Sequence, residues 1–319
     1  MSISFKFEFK FYVNRGINKN QKDERVLLPD SFLQLAEQEV ERLKSSLSPS
    51  TIENYKTFLR SIQLYMQENI IVSDVNEQFV KGYERWLRNR NICLNTVSCY
   101  MRSFRSLLNR INGENHTRVF KGVYTGRSKT EKRAVSEPDI IRIKQARLRP
   151  GSFLNLTRDI FLFSYYALGM PFVDIAFLRH SQICGNHLVY QRHKTGQRIV
   201  VPLESCMFEI INRYRSNRDY VFPLIKSNDP SIAYHEYLIM LNRYNRSLKT
   251  LARKSGLNLR ITSYTARHTW ASVAYSSNVC LPIISKALGH TNPQTTLTYI
   301  KEINDKRLEE ANREIISRI

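Results

Sequence analysis

The residues best equipped for chemistry stand close together near the end of the chain. They read Tyr264-Thr265-Ala266-Arg267-His268-Thr269-Trp270-Ala271, then Ala287-Leu288-Gly289-His290, then Thr295-Thr296-Leu297-Thr298-Tyr299. A guanidinium stabilises negative charge that develops during a reaction, an imidazole hydrogen-bonds or moves a proton, and a phenol can be a nucleophile. Each piece alone has an ordinary reading. An Arg-His pair on a helix is most often surface or a satisfied core group. One tyrosine among 17 is most often packing. Leu-Gly-His is most often a helix end, because glycine closes helices readily. Order and spacing, taken together, carry the signal.

The composition says what such a constellation would act on. The chain has 319 residues, with 49 Lys plus Arg against 28 Asp plus Glu, a net charge of +21. An excess of that size points to a polyanionic partner, most commonly nucleic acid. The five cysteines, Cys93, Cys99, Cys184, Cys206 and Cys280, are odd in number and lack C-x-x-C spacing. That argues against a disulfide framework and against a zinc site. With no ligand cluster and no phosphate-cradling glycine loop in view, no metal, cofactor or nucleotide is expected. The longest apolar run, Ile160 to Val173, is short and carries Gly169 and Pro171, so it reads as a buried helix and no membrane contact is expected. The opening Met-Ser-Ile-Ser-Phe-Lys alternates instead of running apolar, so a secretory signal is not expected and a reducing cytoplasm is the default.

Several elements must position these groups. Phe5, Phe7, Phe9 and Phe11 alternate with polar residues, the period of a short strand, and Asn14 to Asp23 reads as a polar loop. Residues 1–27 form this extension. From residue 28 to 112 the pattern is helical: Ser31 to Leu43, a helix opening at the capping-box spacing Ser50-Thr-Ile-Glu53, a third from Asn76 to Arg88, and a fourth after Asn95 as N-cap. The fourth carries Tyr100, Phe104, Leu107 and Leu108 on one side and Arg102, Arg105 and Arg110 on the other. Residues 113–133 are small, polar and basic, the composition of a linker that touches a phosphate backbone. The last unit, 134–319, is mixed. Ser136 caps a helix; a hairpin spans Leu188 to Leu203 with His193 to Gln197 as its turn; further helices follow, including Thr265 to Ser276 and Pro282 to Leu288. The fold class expected is mainly α with a small β-sheet.

Arg267-His-Thr-Trp-Ala resembles the second signature box of the tyrosine site-specific recombinases, the phage-integrase family, whose core reads H-x-x-R-H-T-F-A. Leu288-Gly-His290 with a tyrosine nine residues on resembles that family's nucleophile box. Lys194-Thr-Gly in the hairpin, followed by Val201-Pro-Leu, resembles its strand-borne lysine, and the four-helix stretch its SAM-like core-binding domain. The match runs over roughly residues 30 to 319. By that resemblance Tyr299 is the nucleophile that forms a 3′-phosphotyrosine, Arg267 binds the scissile phosphate, Lys194 is the general acid, and His290 donates to a phosphoryl oxygen. The link conserves bond energy, so neither ATP nor metal is implied. The resemblance also implies duplex DNA as partner, a homotetramer on paired sites, an accessory DNA-bending protein in some systems, and work on a bacterial nucleoid.

Two positions depart from the pattern. The family's first box has the form T-G-L-R, two residues, then E/D; here it reads Leu168-Gly-Met-Pro171-Phe-Val-Asp174. Proline brings neither charge nor donor. The histidine three residues before the second arginine is Tyr264, whose phenol titrates at about pH 10 and is a poor base near neutrality. His268 is turned about 100° from Arg267 around a helix, so it is no automatic substitute. Losing one oxyanion donor typically costs about a hundred- to a thousandfold in rate. Arg192, two residues before Lys194, is the replacement cation if the two share a strand face; Arg179 is a weaker one. The rival for Arg192 is an ordinary contact to the DNA backbone.

Three functions compete: an active recombinase, a non-catalytic DNA-binding regulator on a recombinase scaffold, and a type IB topoisomerase. Pro171 and Tyr264 favour the regulator; the presence of Tyr299, His290, Arg267 and Lys194 favours an enzyme. The final helix, from about Asp305, bears Ile303, Leu308, Ala311, Ile315 and Ile316. That stripe would pack on a neighbouring subunit, or else on its own domain.

Overall fold

The computed structural model describes residues 31–113, 117–128, 134–215, 219–292, 294–297, 313 and 316–317. The strand expected in the N-terminal extension, the proposed nucleophile Tyr299, and nearly all of the final helix lie outside them. The chain divides into two compact units, Met1–Thr130 and Glu131–Ile319.

The first unit is helical. Ser31 caps α1 (Phe32–Leu43), its hydroxyl accepting from the Gln34 N–H. Helix α2 (Pro49–Tyr65) begins earlier than the Ser50-Glu53 spacing suggests. The cap is Ser48, whose hydroxyl accepts from the Thr51 N–H, and Pro49 takes the first helical position. A proline there loses no helix hydrogen bond, which is why the start moves two residues back. Asn76 caps α3 (Glu77–Asn89), as its position suggests. Helix α4 (Leu94–Asn112) again starts early, after Cys93. Asn95 is no cap. Its amide donates to the Ser128 carbonyl while its oxygen accepts from the Ser128 N–H. The apolar faces meet in an aromatic core: Phe104 lies 5.2 Å, centroid to centroid, from both Phe32 and Phe58. The expected linker is partly core as well. Phe120 and Val123 are buried against this unit, two apolar residues whose weight the surrounding basic composition hides.

The second unit runs α5 (Glu137–Gln145), α6 (Phe153–Tyr166), α7 (Phe172–Ala176), β1 (Ile183–Cys184), β2 (His187–Gln191), β3 (Arg198–Pro202), α8 (Ser205–Arg213), α9 (Pro230–Lys254), α10 (Thr265–Ser276), α11 (Leu281–Leu288) and α12 (Gln294–Leu297). Ser136 and Asp139 close a capping box over α5. Ile160, Phe161, Leu162 and Phe163 on α6 are all buried, the mark of a helix surrounded by protein. The strands form one antiparallel sheet, β1-β2-β3, with Leu188 paired to Val201 and Tyr190 to Ile199 on its buried face. The architecture is mainly α with a small sheet, as expected. Helix α7 and strand β1 were not anticipated, because five and two residues are too few for a periodic pattern. No described helix is long and apolar enough to cross a membrane.

Candidate active site

The site is organised by two tight turns. The first ends α11. Gly289 takes a left-handed conformation (φ 63°), and the His290 N–H reaches back to the Ser285 carbonyl, a Schellman closure. The last carbonyls of a helix lack partners within it and lie at its negative end. Here the Leu288 carbonyl accepts from two guanidinium groups: Arg267 Nη2 from α10, and Arg192 Nη1 at 2.8 Å from the loop after β2. Glycine is required twice over at 289, for its φ and for space. A Cβ there would stand 3.0 Å from Arg192 Cγ and 3.1 Å from Ile199 Cδ1.

The second turn joins α6 to α7. Leu168 (φ 56°) and Gly169 (φ 70°) are both left-handed, and the Gly169 carbonyl accepts from Arg267 Nη1 at 3.0 Å. A Cβ on Gly169 would lie 3.0 Å from Arg267 Cα. Pro171 comes next as the N-cap of α7, at φ −66°, a value its ring fixes anyway. Asp174, one turn into α7, is 3% exposed. Its Oδ2 lies 3.1 Å from Arg192 Nε in an ion pair bent away from a straight hydrogen bond. Its Oδ1 accepts from the His193 N–H at 3.0 Å. This segment therefore supplies no cation; it supplies the carboxylate that holds one.

Arg192 and Lys194 lie past the end of β2, in the turn, so the alternation of a strand does not apply to them. Arg192 N–H donates to the Gln197 carbonyl, the Gly196 N–H to the Arg192 carbonyl, and the Thr195 hydroxyl to the Gly289 carbonyl. The turn sends Arg192 inward, 6% exposed, and leaves Lys194 exposed. The expectation of a shared strand face is corrected.

His290 is flanked by two partners, Arg267 Nη2 3.0 Å from Nε2 and Thr296 Oγ1 2.9 Å from Nδ1. Burial first, and then the charges of Arg267, Arg192 and Lys194, push its pKa down from 6.5 to about 4. Burial also raises the Tyr190 phenol, with Asp174 adding to the effect and Arg192 and Arg267 opposing it. Four of the sequence candidates thus share one electrostatic neighbourhood: Arg267, His290, Arg192 and Lys194. Tyr264 is 47% exposed at the N-cap of α10 and lies near Tyr237. Arg179 is engaged elsewhere, with Tyr220, Asn228 and Asp219. The roles of Asp174, Gly169 and Thr296 escaped sequence reasoning; Gly289 is legible as a helix end, but not as the close neighbour of Arg192. The only available signals were the acidic residue three places after Pro171 and the glycines beside the altered box and His290.

Among the described residues, three cations against one carboxylate leave an excess of positive charge in a partly buried setting. Such an arrangement suits a tetrahedral oxyanion, which takes charge-assisted hydrogen bonds from preorganised donors.

Comparison with known proteins gives the class. Residues 152–306 match the phage integrase family and residues 31–111 the phage integrase SAM-like domain. The tyrosine recombinase XerD of Oceanobacillus iheyensis is 23% identical over 278 residues, covering 81% of this chain and 89% of that protein. The tyrosine recombinase XerC of Halalkalibacterium halodurans is 24% identical over 284 residues, covering 83% and 91%. In fold, the chain resembles lambda integrase residues 75–356 bound as a dimer to a COC′ core site, with TM-score 0.64 and 14% identity over 83% of this chain and 94% of that one. It equally resembles the Tn1549 transposon integrase in complex with transposon right end DNA, with TM-score 0.64 and 13% identity over 89% and 99%. Fold and relatives define a DNA breaking-and-rejoining enzyme. The chain belongs to the phage integrase family of tyrosine recombinases.

Proposed function

We propose that this chain cuts and rejoins duplex DNA at specific sites, with Arg192 in place of the arginine that the first box lacks. The observation that carries the reading is the convergence of Arg192 and Arg267 on the single Leu288 carbonyl, with Asp174 holding the former. Two guanidinium groups so close repel each other, and an arriving phosphate relieves that repulsion.

In this reading the Tyr299 hydroxyl attacks the scissile phosphorus. The bond from phosphorus to the 5′ oxygen breaks, and Lys194 gives the leaving oxygen its proton. A 3′-phosphotyrosine and a free 5′-hydroxyl result; attack by a 5′-hydroxyl reverses the step and rejoins strands. Arg267 and Arg192 stabilise the charge on the phosphoryl oxygens, His290 donates a hydrogen bond to one of them, and Tyr264 orients an oxygen through its O–H. The assembly is a homotetramer on two paired sites, assisted in some settings by a DNA-bending protein, acting in the cytoplasm on nucleoid DNA. Among the relatives in fold, lambda integrase forms a tetramer bound to a Holliday junction.

A second reading, a DNA-binding regulator without catalysis, is favoured by Pro171 in the cation's place. A nicked suicide duplex carrying the recombination site decides between them. A denaturation-resistant protein–DNA adduct is expected. Tight binding with no adduct would carry the regulator reading instead, and adduct without recombinant product would point to a topoisomerase.

A further inference from the structure

The end of α11 offers two consecutive carbonyls, and each takes a side chain from the same turn. The Leu288 carbonyl accepts from Arg192 Nη1 at 2.8 Å, and the Gly289 carbonyl accepts from the Thr195 hydroxyl at 3.2 Å. Carbonyls at a helix C-terminus have no partner within the helix, so donors from another element are needed there. Lys194 lies between the two anchoring residues in the sequence. Within the turn, the Thr195 and Gly196 N–H groups both donate to the Arg192 carbonyl, at 3.3 and 2.8 Å. Consecutive Cα atoms stay about 3.8 Å apart, so a backbone pinned at 192 and 195 leaves Lys194 little room to move. Lys194 itself is exposed, and its placement therefore depends on the backbone that carries it.

We propose that Thr195 is a positioning residue: its hydroxyl docks the β2–β3 turn on the end of α11 and thereby sets where Lys194 stands. The proposal deepens the recombinase reading and rests on it for the step that Lys194 performs. In that step the Tyr299 oxygen bonds to phosphorus and the bond from phosphorus to the 5′ oxygen breaks. The departing oxygen takes its proton from the Lys194 ammonium. A turn released from Gly289 keeps the lysine and loses its aim.

Threonine suits the task, because its branched Cβ restricts the side-chain torsion and so holds the hydroxyl toward its acceptor. Arg192 does not make Thr195 redundant. Its guanidinium pins the turn two residues before Lys194, whereas Thr195 pins it directly after.

Thr195→Val keeps the shape and removes the hydroxyl; Thr195→Ser keeps the hydroxyl. Both are made in the full chain, with Lys194→Ala as reference. Single-turnover trapping is run on two suicide duplexes, one ordinary and one with sulfur in place of the 5′ oxygen at the cleavage position. A thiol titrates at about pH 8.5, far below an alcohol, so a thiolate leaves without needing a proton. On the ordinary duplex Thr195→Val is expected to trap about fivefold more slowly, the size that one hydrogen bond of ordinary net strength supports. Lys194→Ala should lose more, and Thr195→Ser should hold most of the rate. On the sulfur duplex both losses should close. In the DNA-free protein, amide hydrogen exchange across residues 193–197 should quicken in Thr195→Val and stay at the wild-type rate in Thr195→Ser. A Thr195→Val protein with wild-type trapping, or with wild-type exchange, overturns the proposal. So does a loss of equal size on both duplexes, which would mean general damage to the site. Failure of the recombinase reading looks different: no adduct from the wild type on either duplex, or a Lys194→Ala loss that sulfur leaves untouched. The exchange measurement then decides by itself whether Thr195 docks the turn.

Discussion

The two turns that hold Arg267 make an instructive pair. Each is a left-handed turn with a glycine, and each offers Arg267 a backbone carbonyl: Gly169 from one, Leu288 from the other. They differ in the residues just past the glycine. After Gly289 comes His290, which keeps its place beside the guanidinium. After Gly169 come Met170 and Pro171, and the family's cation is gone. Yet the second turn has not decayed. Pro171 starts α7, and α7 carries Asp174 to Arg192. The scaffold holding a charge and the residue bearing it are therefore separable. A turn that loses its cation can keep its geometry and anchor a cation from another loop.

The largest effects test the first turn's arm of the comparison, which leads toward Tyr299. Tyr299→Phe removes the only nucleophile this reading allows, and covalent adduct on a suicide duplex should vanish while DNA affinity stays at the wild-type level. Adduct formed by the Phe variant would break the reading outright.

Next in size is the second arm. Arg192→Ala should slow cleavage of saturated DNA by about a hundredfold or more, the cost of one donor to a developing oxyanion. Arg179→Ala, which alters a cation held by Tyr220 and Asp219, should leave that rate near wild type. Pro171→Arg in the Arg192→Ala background should restore part of the rate. If Arg192→Ala instead weakens binding, lowers its salt dependence by about one charge and leaves cleavage intact, Arg192 is a backbone contact, and the two turns are not functional equivalents.

How far these turns are legible in the sequence depends on the distances over which they act. Caps and periodic faces are local, so Ser31, Asn76 and Ser136 are readable as starts, and Phe58 and Phe104 as core. Asn95 misleads because its partner, Ser128, lies 33 residues away. Arg267, His290 and Lys194 can be found because their order matches a family pattern. Arg192 can be found as a charge near Lys194, but not for the reason of a shared strand face, which the turn rules out. What draws it beside Arg267 is Asp174, 18 positions earlier in the chain, and a carbonyl 96 positions later. No spacing rule connects those three. Thr296 is hidden for the opposite reason: it lies within the motif, but one hydroxyl among several near His290 carries no mark until burial singles it out.

A middle-sized effect sharpens the comparison through glycine. Gly289→Ala should destabilise the fold by about 1–2 kcal/mol for the left-handed conformation alone. It should also slow cleavage, because the new methyl displaces Arg192. Gly196→Ala in the β2–β3 turn also sits at positive φ, but nothing lies within 4 Å of a Cβ there. It should share the stability loss and spare most of the rate. Thermal melts and single-turnover trapping on both variants separate strain from crowding. Equal losses of rate would mean that the close pass to Arg192 has no catalytic meaning.

The smallest effect concerns pH. The His290 pKa is lowered in the folded protein to about 4, against 6.5 for the exposed group. The folded state thus favours the neutral ring, while the unfolded chain binds a proton below about 6.5. Between about pH 6.5 and 4 the unfolded state holds more protons, so His290 makes stability fall as pH falls, and below about 4 the difference stops growing. The ring is only half-buried, so solvent screening limits the contribution to about 1 kcal/mol. Removing it by His290→Gln should flatten the acid limb of the stability curve in that window by this amount and leave the neutral limb's slope unchanged. An identical slope in both proteins would mean that the ring titrates normally, and that the cations of the two turns do not reach it. In that event the case for one shared phosphate pocket would lose its electrostatic support.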